Sequence, residues 1–198
     1  MLDIKELTWE YHKNAERQKF VGLMMSGNID EKLYATYLYN QLQCYAVLEK
    51  YAQENSLFRH TPGIERTEHL LYDFKALWKD DKEKPIVTQS TKDYIIHVEG
   101  MKEEAHKLYS HIYVRHLGDL SGGQMIRKKT PGPNRFYTFK DVAHKTYKPI
   151  VREVIHSYLS LYEEDVRTET QNCFIFATRL FGEMHDLGKI ITQQRKNN

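Results

Sequence analysis

The sequence predicts an all-α bundle that forms a single domain over residues 1–198. Apolar residues recur at spacings of three or four through most of the chain, which is the period of an α-helix. No stretch alternates apolar and polar residues for long enough to indicate a strand. The length of 198 residues, with 40% hydrophobic and 28% charged residues, is typical of one soluble globular domain.

The first half of the chain divides into three predicted helices. The first covers residues 3–20, where apolar residues step by four. The segment SGNID at 26–30 breaks the chain, and its Asn or Asp can cap the helix that follows. That helix, over residues 31–55, is apolar around much of its circumference, so we expect it to be buried at the centre. A third helix is expected to open at TPG, residues 61–63, and to run to about residue 79.

The second half begins with a long helical region, predicted over residues 89–128. The segment TPGPN at 130–134 is a clear stop, because proline and glycine both disrupt helices. Apolar spacing predicts two further helices, one around residues 151–161 and the last around residues 174–187. The architecture expected from these elements is a helical bundle without internal repeats.

Three glycines lie within six positions of the long helical region, at Gly118, Gly122 and Gly123. Each interior glycine destabilises a helix by about 0.5–1 kcal/mol relative to alanine. One explanation is that a flat ligand lies on a backbone without Cβ atoms, since Gly118 and Gly122 share a face. The other is a turn or helix end around SGG. A phosphate-binding P-loop is excluded, because Gln124 stands where that motif requires lysine.

Composition excludes several other classes of protein. A formal net charge of only +2 argues against a nucleic-acid partner. Cys44 and Cys173 form no C-x-x-C pair, so we expect a reducing compartment and no disulfide. The sequence has neither C-x-x-C-H for covalent haem nor the zinc motif H-E-x-x-H. The N-terminus lacks the apolar core of a signal peptide, and residues 173–177 are too few to span a bilayer. A cytoplasmic protein without a membrane anchor is expected.

One face of the first helix carries Lys5, Trp9, His12 and Glu16, which are spaced four, three and four apart. A neutral imidazole is a good ligand for iron. Glu16, one turn after His12, can accept a hydrogen bond from the other ring nitrogen and so raise the basicity of the ligand. The alternative is a solvated polar face with an ordinary histidine.

Two further pairs of charged residues are four apart. Arg115 and Asp119 flank Gly118, so Asp119 either organises water beside an open backbone or forms an exposed helical ion pair. Lys148 and Arg152 make a basic face on a later helix. That face either holds two carboxylates or is ordinary solvated charge.

These segments resemble the haem oxygenase family over nearly the whole chain. LGDLSGGQ at 117–124, preceded by Tyr113 and Arg115, is similar to the family signature. ELTWEYHKNAE at 6–16 resembles the proximal helix of the family. FYTF at 136–139 and FIFATRLFGEM at 174–184 resemble, respectively, the segment before its basic helix and its final core helix.

The resemblance implies how haem is held on the proximal side. His12 is expected to be the axial ligand of the iron, with Glu16 hydrogen-bonded to it and Phe174 packed against the macrocycle. The haem propionates are expected to pair with Lys5, Lys148 and Arg152. Trp9 stands where some relatives carry a second basic residue.

The resemblance also implies a distal side, so that haem lies between the N-terminal helix and a glycine-kinked helix. The backbone that lines it is expected at Gly118, Gly122 and Gly123. Asp119 is expected to organise the water network that delivers a proton to bound dioxygen, with Tyr113 and Arg115 supporting that network and the haem edge.

The implied reaction opens haem at a meso carbon, by family analogy the α position, to biliverdin with release of carbon monoxide and ferrous iron. Haem b is then both cofactor and substrate, and dioxygen and an external electron donor are required. Relatives use a ferredoxin or a flavoprotein reductase, and a basic face around Arg115, Lys128, Lys129 and Lys148 is a candidate dock for an acidic ferredoxin. A bilin reductase is a possible downstream partner.

Two other functions compete with this one. A haem carrier or sensor needs the same His12 and basic residues but not Asp119 or room for dioxygen at the glycines. An unrelated helical interaction module needs none of them, and its apolar stripes are only core. Analysis of the products formed from haem separates the first from an enzyme.

Overall fold

A computed structural model describes residues 3–80, 82–139 and 141–196, with the backbone alone at 141–144 and 195–196. Every regular element in these ranges is an α-helix and none is a strand, which confirms the predicted class. In chain order the helices are α1 (Ile4–Glu16), α2 (Lys19–Ser26), α3 (Glu31–Glu54), α4 (Thr67–Leu77), α5 (Gln89–Gly100), α6 (Ala105–Ser121), α7 (Gly123–Ile126), α8 (Asp141–Leu161) and α9 (Glu163–Lys196).

Side-chain caps fix where several helices begin. The carboxylate of Asp3 accepts a hydrogen bond from the backbone N–H of Lys5 at 2.9 Å, at the start of α1. Of the two expected caps for α3, Asp30 takes the role, because its carboxylate accepts from the N–H of Leu33 at 2.9 Å. Each cap satisfies one of the four N–H groups that a helix leaves free at its start.

The predicted first helix is two helices. Gln18 is extended, with φ −63° and ψ 138°, so α1 ends at Glu16 and α2 begins at Lys19. The side-chain amide of Gln18 donates to the carbonyl oxygen of Asn14 at 3.1 Å, which satisfies one of the carbonyl groups at the end of α1. The apolar spacing continues across this break, which is why the sequence alone suggested one element.

Other helix boundaries also differ from expectation. The TPG segment is a turn with Gly63 at φ +83°, and α4 begins only at Thr67. The helical region predicted over residues 89–128 is three helices: the backbone leaves helical geometry after Gly100, and Gly122 is a turn residue between α6 and α7 although its dihedral angles stay helical, at φ −66° and ψ −33°. Helix α8 begins at Asp141, about ten residues before its predicted start. Helix α9 runs from Glu163 to Lys196 and so extends beyond the predicted range of 174–187 at both ends.

Helix α3 lies at the centre, as its apolar circumference predicted. At 1.5 Å per residue its 24 residues extend about 36 Å. Its first half joins a core with α2, α4 and the end of α9, through residues such as Leu38 and Met184. Its second half, including Leu48, joins a core with α5, α6, α8 and the start of α9.

The two helices that carry most of the predicted site share their supports. Both α1 and α6 pack on α8 and α9. The side-chain amide of Gln171 in α9 donates to the carbonyl oxygen of Leu7 in α1 at 3.2 Å. No described helix combines the length and apolar character needed to cross a membrane.

Candidate haem site

His12 lies in the middle of α1 with its side chain 42% exposed. The indole of Trp9 stacks on the imidazole with ring centroids 5.8 Å apart. The ring of Phe174 in α9 meets the imidazole edge-on, with centroids 5.5 Å apart. The ring of His12 is therefore oriented by one neighbour on its own helix and one on the helix behind it.

The two ring nitrogens of His12 have different surroundings. Nε2 lies 3.5 Å from Oε1 of Glu16, one turn further along α1. Nδ1 is buried and has no hydrogen-bond partner among the described residues. An axial ligand needs one nitrogen held by a neighbour and the other left for the metal. The unpaired Nδ1 and the Nε2 beside Glu16 give the ring the two unlike nitrogens that this role requires, so His12 and Glu16 fit a haem ligand.

One face of α6 is bare backbone at its C-terminal end. A Cβ added at Gly118 would meet nothing within 4 Å, and one at Gly122 would meet only the carbonyl oxygen of Gly118, at 3.6 Å. Both glycines and the neighbouring Ser121 are exposed. A flat ligand can therefore approach the main chain of this turn, as expected from the sequence.

Gly123 has a different role from the one expected. It is buried, and a Cβ at this position would collide with the ring of Tyr137. The ring of Tyr137 is itself only 2% exposed, so it cannot move aside cheaply. Gly123 therefore allows a close contact inside the protein, and the open face belongs to Gly118 and Gly122.

Asp119 points inward beside that open face and is 8% exposed. The hydroxyl group of Tyr45 donates to its Oδ2 at 2.5 Å. Burial raises the pKa of Asp119 to about 7, although the hydrogen bond from Tyr45 and the charges of Arg66 and Arg115 lower it. The carboxyl group can therefore gain and lose a proton near neutral pH.

Arg115 is buried, which corrects two expectations. Its guanidinium donates to the hydroxyl of Tyr94 at 3.0 Å and to Oε1 of Gln41 at 2.9 Å. It is only 9% exposed, so it cannot belong to a basic docking face or to an exposed ion pair with Asp119. Its charge acts on Asp119 through the protein interior instead.

The predicted basic residues lie on two helices, α1 and α8, and one of them, Arg152, lies near Tyr113. Tyr113 is half-buried in α6, and burial raises the pKa of its hydroxyl, while the positive charge of Arg152 lowers this pKa and the negative charge of Asp3 raises it. Arg152 of α8 therefore lies near Tyr113 and the start of α1. Lys5, in the first turn of α1, is exposed and its ammonium lies 5.7 Å from the ring centroid of Trp9. Lys148 is half-buried in α8.

Sequence reasoning missed the polar residues that surround Asp119. The sequence predicted α3 only as a central apolar helix, whereas the hydroxyl of its Tyr45 is the partner of Asp119. Sequence reasoning also passed over Glu49 and His116, which pair inside the core with Nε2 2.9 Å from Oε1. The available signal was that a tyrosine, glutamate or histidine in a buried stripe must find a hydrogen-bond partner.

A second buried polar group joins α5, α6 and α9. Nε2 of His97 and Nε2 of His111 both donate to Oε2 of Glu169, at 2.6 and 3.1 Å. Burial lowers the pKa of His111 to about 4, so the ring stays neutral and its Nδ1 accepts from the hydroxyl of Tyr94 at 3.1 Å. Although these atoms lie within 4.8 Å of one another, each already has a partner, and we interpret the group as a polar support of the core.

The chain matches known proteins over most of its length. The family model for haem oxygenase matches residues 2–183. Heme oxygenase 2 from Rattus norvegicus is 27% identical over 96% of this chain and 67% of that protein. Heme oxygenase from Guillardia theta is 34% identical over 64% of this chain and 56% of that protein.

Solved structures share the fold. Heme oxygenase-1 from the cyanobacterium Synechocystis sp. PCC6803, in complex with heme, superimposes with a TM-score of 0.82 over 98% of this chain and 96% of that chain, at 23% identity. Heme oxygenase from Leptospira interrogans gives a TM-score of 0.79 at 26% identity, over 91% and 97% of the two chains. The chain belongs to the haem oxygenase family. The predicted family and oxidoreductase class are confirmed.

Proposed function

We propose that this chain binds haem b between α1 and the end of α6 and opens it to biliverdin, with release of carbon monoxide and ferrous iron. His12 holds the iron, Glu16 orients the imidazole and Phe174 supports its edge. The bare turn at Gly118 and Gly122 leaves room above the macrocycle. When bound, haem supplies the iron that activates dioxygen and the meso carbon that is oxidised.

One observation carries the proposal most directly. A buried carboxyl group, Asp119, lies in the turn of helix that Gly118 and Gly122 leave open, and its pKa is about 7. A group with a pKa near the working pH is the best compromise between holding a proton and releasing it. Asp119 therefore acts as the proton donor to the distal pocket through water, and Tyr45 holds its Oδ2 in place. The propionates pair with Lys5, Lys148 and Arg152.

The test uses haem, a reductant and air, with bilin absorption as the readout. His12→Ala should abolish bilin formation, and added imidazole should restore part of it because it replaces the missing ligand. Asp119→Ala should slow bilin formation by about 100-fold or more, the usual range for loss of an acid catalyst. His60→Ala, at an exposed histidine, is the matched control and should behave as the wild type.

The outcomes separate the competing functions. Haem that binds and returns unchanged under reducing conditions would indicate a carrier or sensor. An undiminished rate in Asp119→Ala would remove the proton-donor role, and no rescue by imidazole would argue against His12 as the ligand. Chromatography of the bilin tests the expectation that the α meso carbon is attacked.

We further propose that an acidic electron donor, a ferredoxin or the acidic surface of a flavoprotein reductase, docks at Lys128, Lys129 and Lys148. The first two are exposed after α7 and the third is half-buried on α8. Opposite charges on two partners speed their encounter, and salt weakens the effect. A cytoplasmic location, a single domain and a downstream bilin reductase remain predictions.

Reversing charge on this face tests the dock. The double variant Lys128→Glu, Lys129→Glu should lower the rate driven by reduced ferredoxin about 5- to 10-fold at low salt, with little change at high salt. The rate driven by ascorbate should not change, since ascorbate needs no dock. Lys75→Glu, on the exposed side of α4, is the control. An equal loss with both reductants would contradict the dock.

A further inference from the structure

A buried acid–base couple lies one turn from Asp119 and is not used in the reaction proposed above. His116 of α6 is fully buried and Glu49 of α3 is 3% exposed. Nε2 of His116 donates to Oε1 of Glu49 at 2.9 Å. Glu49 also accepts from the backbone N–H groups of Arg66, at 2.5 Å, and Thr67, at 2.9 Å. A carboxylate so deep in a protein is retained only when its lone pairs are satisfied in this way.

The imidazole of His116 also bounds the ring of Tyr45. Their centroids are 5.3 Å apart at an interplanar angle of 61°, and Phe136 meets the ring of Tyr45 at 5.4 Å and 85°. Phe58 contacts His116, with centroids 5.6 Å apart. The ring of Tyr45 is thus confined by His116 and Phe136, and its hydroxyl is left pointing at Oδ2 of Asp119.

We propose that His116 and Glu49 are positioning residues for Asp119. Glu49 fixes the imidazole of His116, this imidazole fixes the ring of Tyr45, and the hydroxyl of Tyr45 holds the carboxyl group of Asp119. The inference rests on the proposed proton-donor role of Asp119. It adds how neighbouring residues set the position and the pKa of its carboxyl group. Neither positioning residue has to touch haem for this role.

Several groups face Asp119, and they act in different directions. The groups that interact electrostatically with Asp119 are Tyr34, Tyr37, Tyr45 and Glu49 on α3, Arg66 before α4, Arg115 on α6 and Tyr137 after α7. The hydrogen bond from Tyr45 and the two arginines lower the pKa of Asp119, while burial and the charge of Glu49 raise it.

The directions of these effects give the proposal its test. Loss of His116 loosens the hydrogen bond from Tyr45 and leaves the charge of Glu49 less balanced, and both changes raise the pKa of Asp119. Replacing Glu49 by glutamine keeps an acceptor for His116 but removes a negative charge, so the pKa of Asp119 should fall. A general loosening of the core would move both variants in the same direction.

The experiment is an infrared titration of the apoprotein, in which the carboxyl band that Asp119→Asn removes is followed against pH. His116→Leu should raise the midpoint by about half a unit or more, a threefold change in the proton dissociation constant. Glu49→Gln should lower it by a similar amount. His116→Gln keeps a donor for Glu49 but loses the ring that confines Tyr45, so it should raise the midpoint by less than His116→Leu does.

A double-variant cycle tests the route through Tyr45. In the Tyr45→Phe background, His116→Leu should shift the midpoint by clearly less than in the wild type, because the hydrogen bond is already gone. An unchanged midpoint in His116→Leu, or an equal shift in both backgrounds, would overturn the proposal. If His116→Leu does not fold, His116→Gln, which also removes the ring beside Tyr45, should still raise the midpoint.

The readout does not depend on turnover. A failure of the proposed positioning would leave the slow bilin formation of Asp119→Ala untouched. Conversely, full activity in Asp119→Ala would remove the proton-donor role whatever the titration gave. The two proposals can therefore fail separately.

Discussion

Gly118 and Gly123 are five residues apart in the sequence, yet their missing side chains serve opposite purposes. At Gly118 the space is open to solvent and available to a ligand. At Gly123 the space is filled by the ring of Tyr137. The same residue type thus leaves open space at one position and lets two parts of the protein meet at the other.

Alanine at each glycine should separate these two uses. Gly118→Ala should leave the free energy of unfolding of the apoprotein unchanged or raise it by up to about 1 kcal/mol, since alanine favours a helix. It should weaken haem binding, because a methyl group would stand on the open face. Gly123→Ala should destabilise the apoprotein by about 1–3 kcal/mol, because a buried ring must move. Urea unfolding and haem titration measure the two effects.

Two results with these variants would contradict the different roles given to Gly118 and Gly123. If Gly118→Ala bound haem as the wild type does, the open face would not be the haem contact. If Gly123→Ala were as stable as the wild type, the contact with Tyr137 would not require glycine.

At the scale of elements, the segment after α7 is held in place by α4. The carboxylate of Asp73 accepts from the backbone N–H groups of Arg135, at 3.0 Å, and Phe136, at 2.8 Å. The same segment carries Tyr137, whose carbonyl oxygen accepts from the side-chain amide of Gln124 at 2.8 Å. Asp73 therefore links α4 to the segment that supports the end of the glycine-rich turn.

Removing the hydrogen bonds of Asp73 should lower the stability of the protein, although Asp73 lies outside the candidate haem site. Asp73→Ala leaves the buried N–H of Phe136 without its acceptor, so we expect a loss of about 1–3 kcal/mol in the free energy of unfolding. The control is Asp186→Ala, which breaks an exposed ion pair with Lys189 and should change stability by less than about 0.5 kcal/mol. Equal effects of the two substitutions would show that the hydrogen bonds of Asp73 contribute little to the free energy of unfolding.

At the scale of the whole molecule, Asp119 makes stability depend on pH. Its pKa is about 7 in the folded protein, against a reference value of 3.8. Between these values the folded state holds a proton that the unfolded state has lost, so stability falls as pH rises from about 4 to 7. The loss of stability is therefore present at the near-neutral pH where Asp119 is proposed to act as an acid.

Replacing the carboxyl group of Asp119 by an amide should remove this pH-dependent loss of stability. The melting temperature of apo Asp119→Asn, relative to the wild type, should rise between pH 4.5 and 7.5 by an amount equivalent to about 3 kcal/mol, or several degrees. Subtracting the wild type at each pH cancels the other titrating groups, including His111 and Glu169. A difference independent of pH would mean that Asp119 ionises at its ordinary value.

The sequence by itself determined the helical class, the central place of α3, the family and the face of α1 that carries His12 and Glu16. The family follows from the resemblance of motifs such as LGDLSGGQ at 117–124. The others follow from spacing along one chain, because residues three or four apart share a helix face wherever that helix packs. Only the tertiary structure decided that Tyr45 meets Asp119, 74 residues away, that Tyr137 fills the space at Gly123, and that Arg115 is buried. The pattern within a helix specifies which face is apolar, but the residue that meets that face comes from another helix, and its identity depends on how the whole bundle packs.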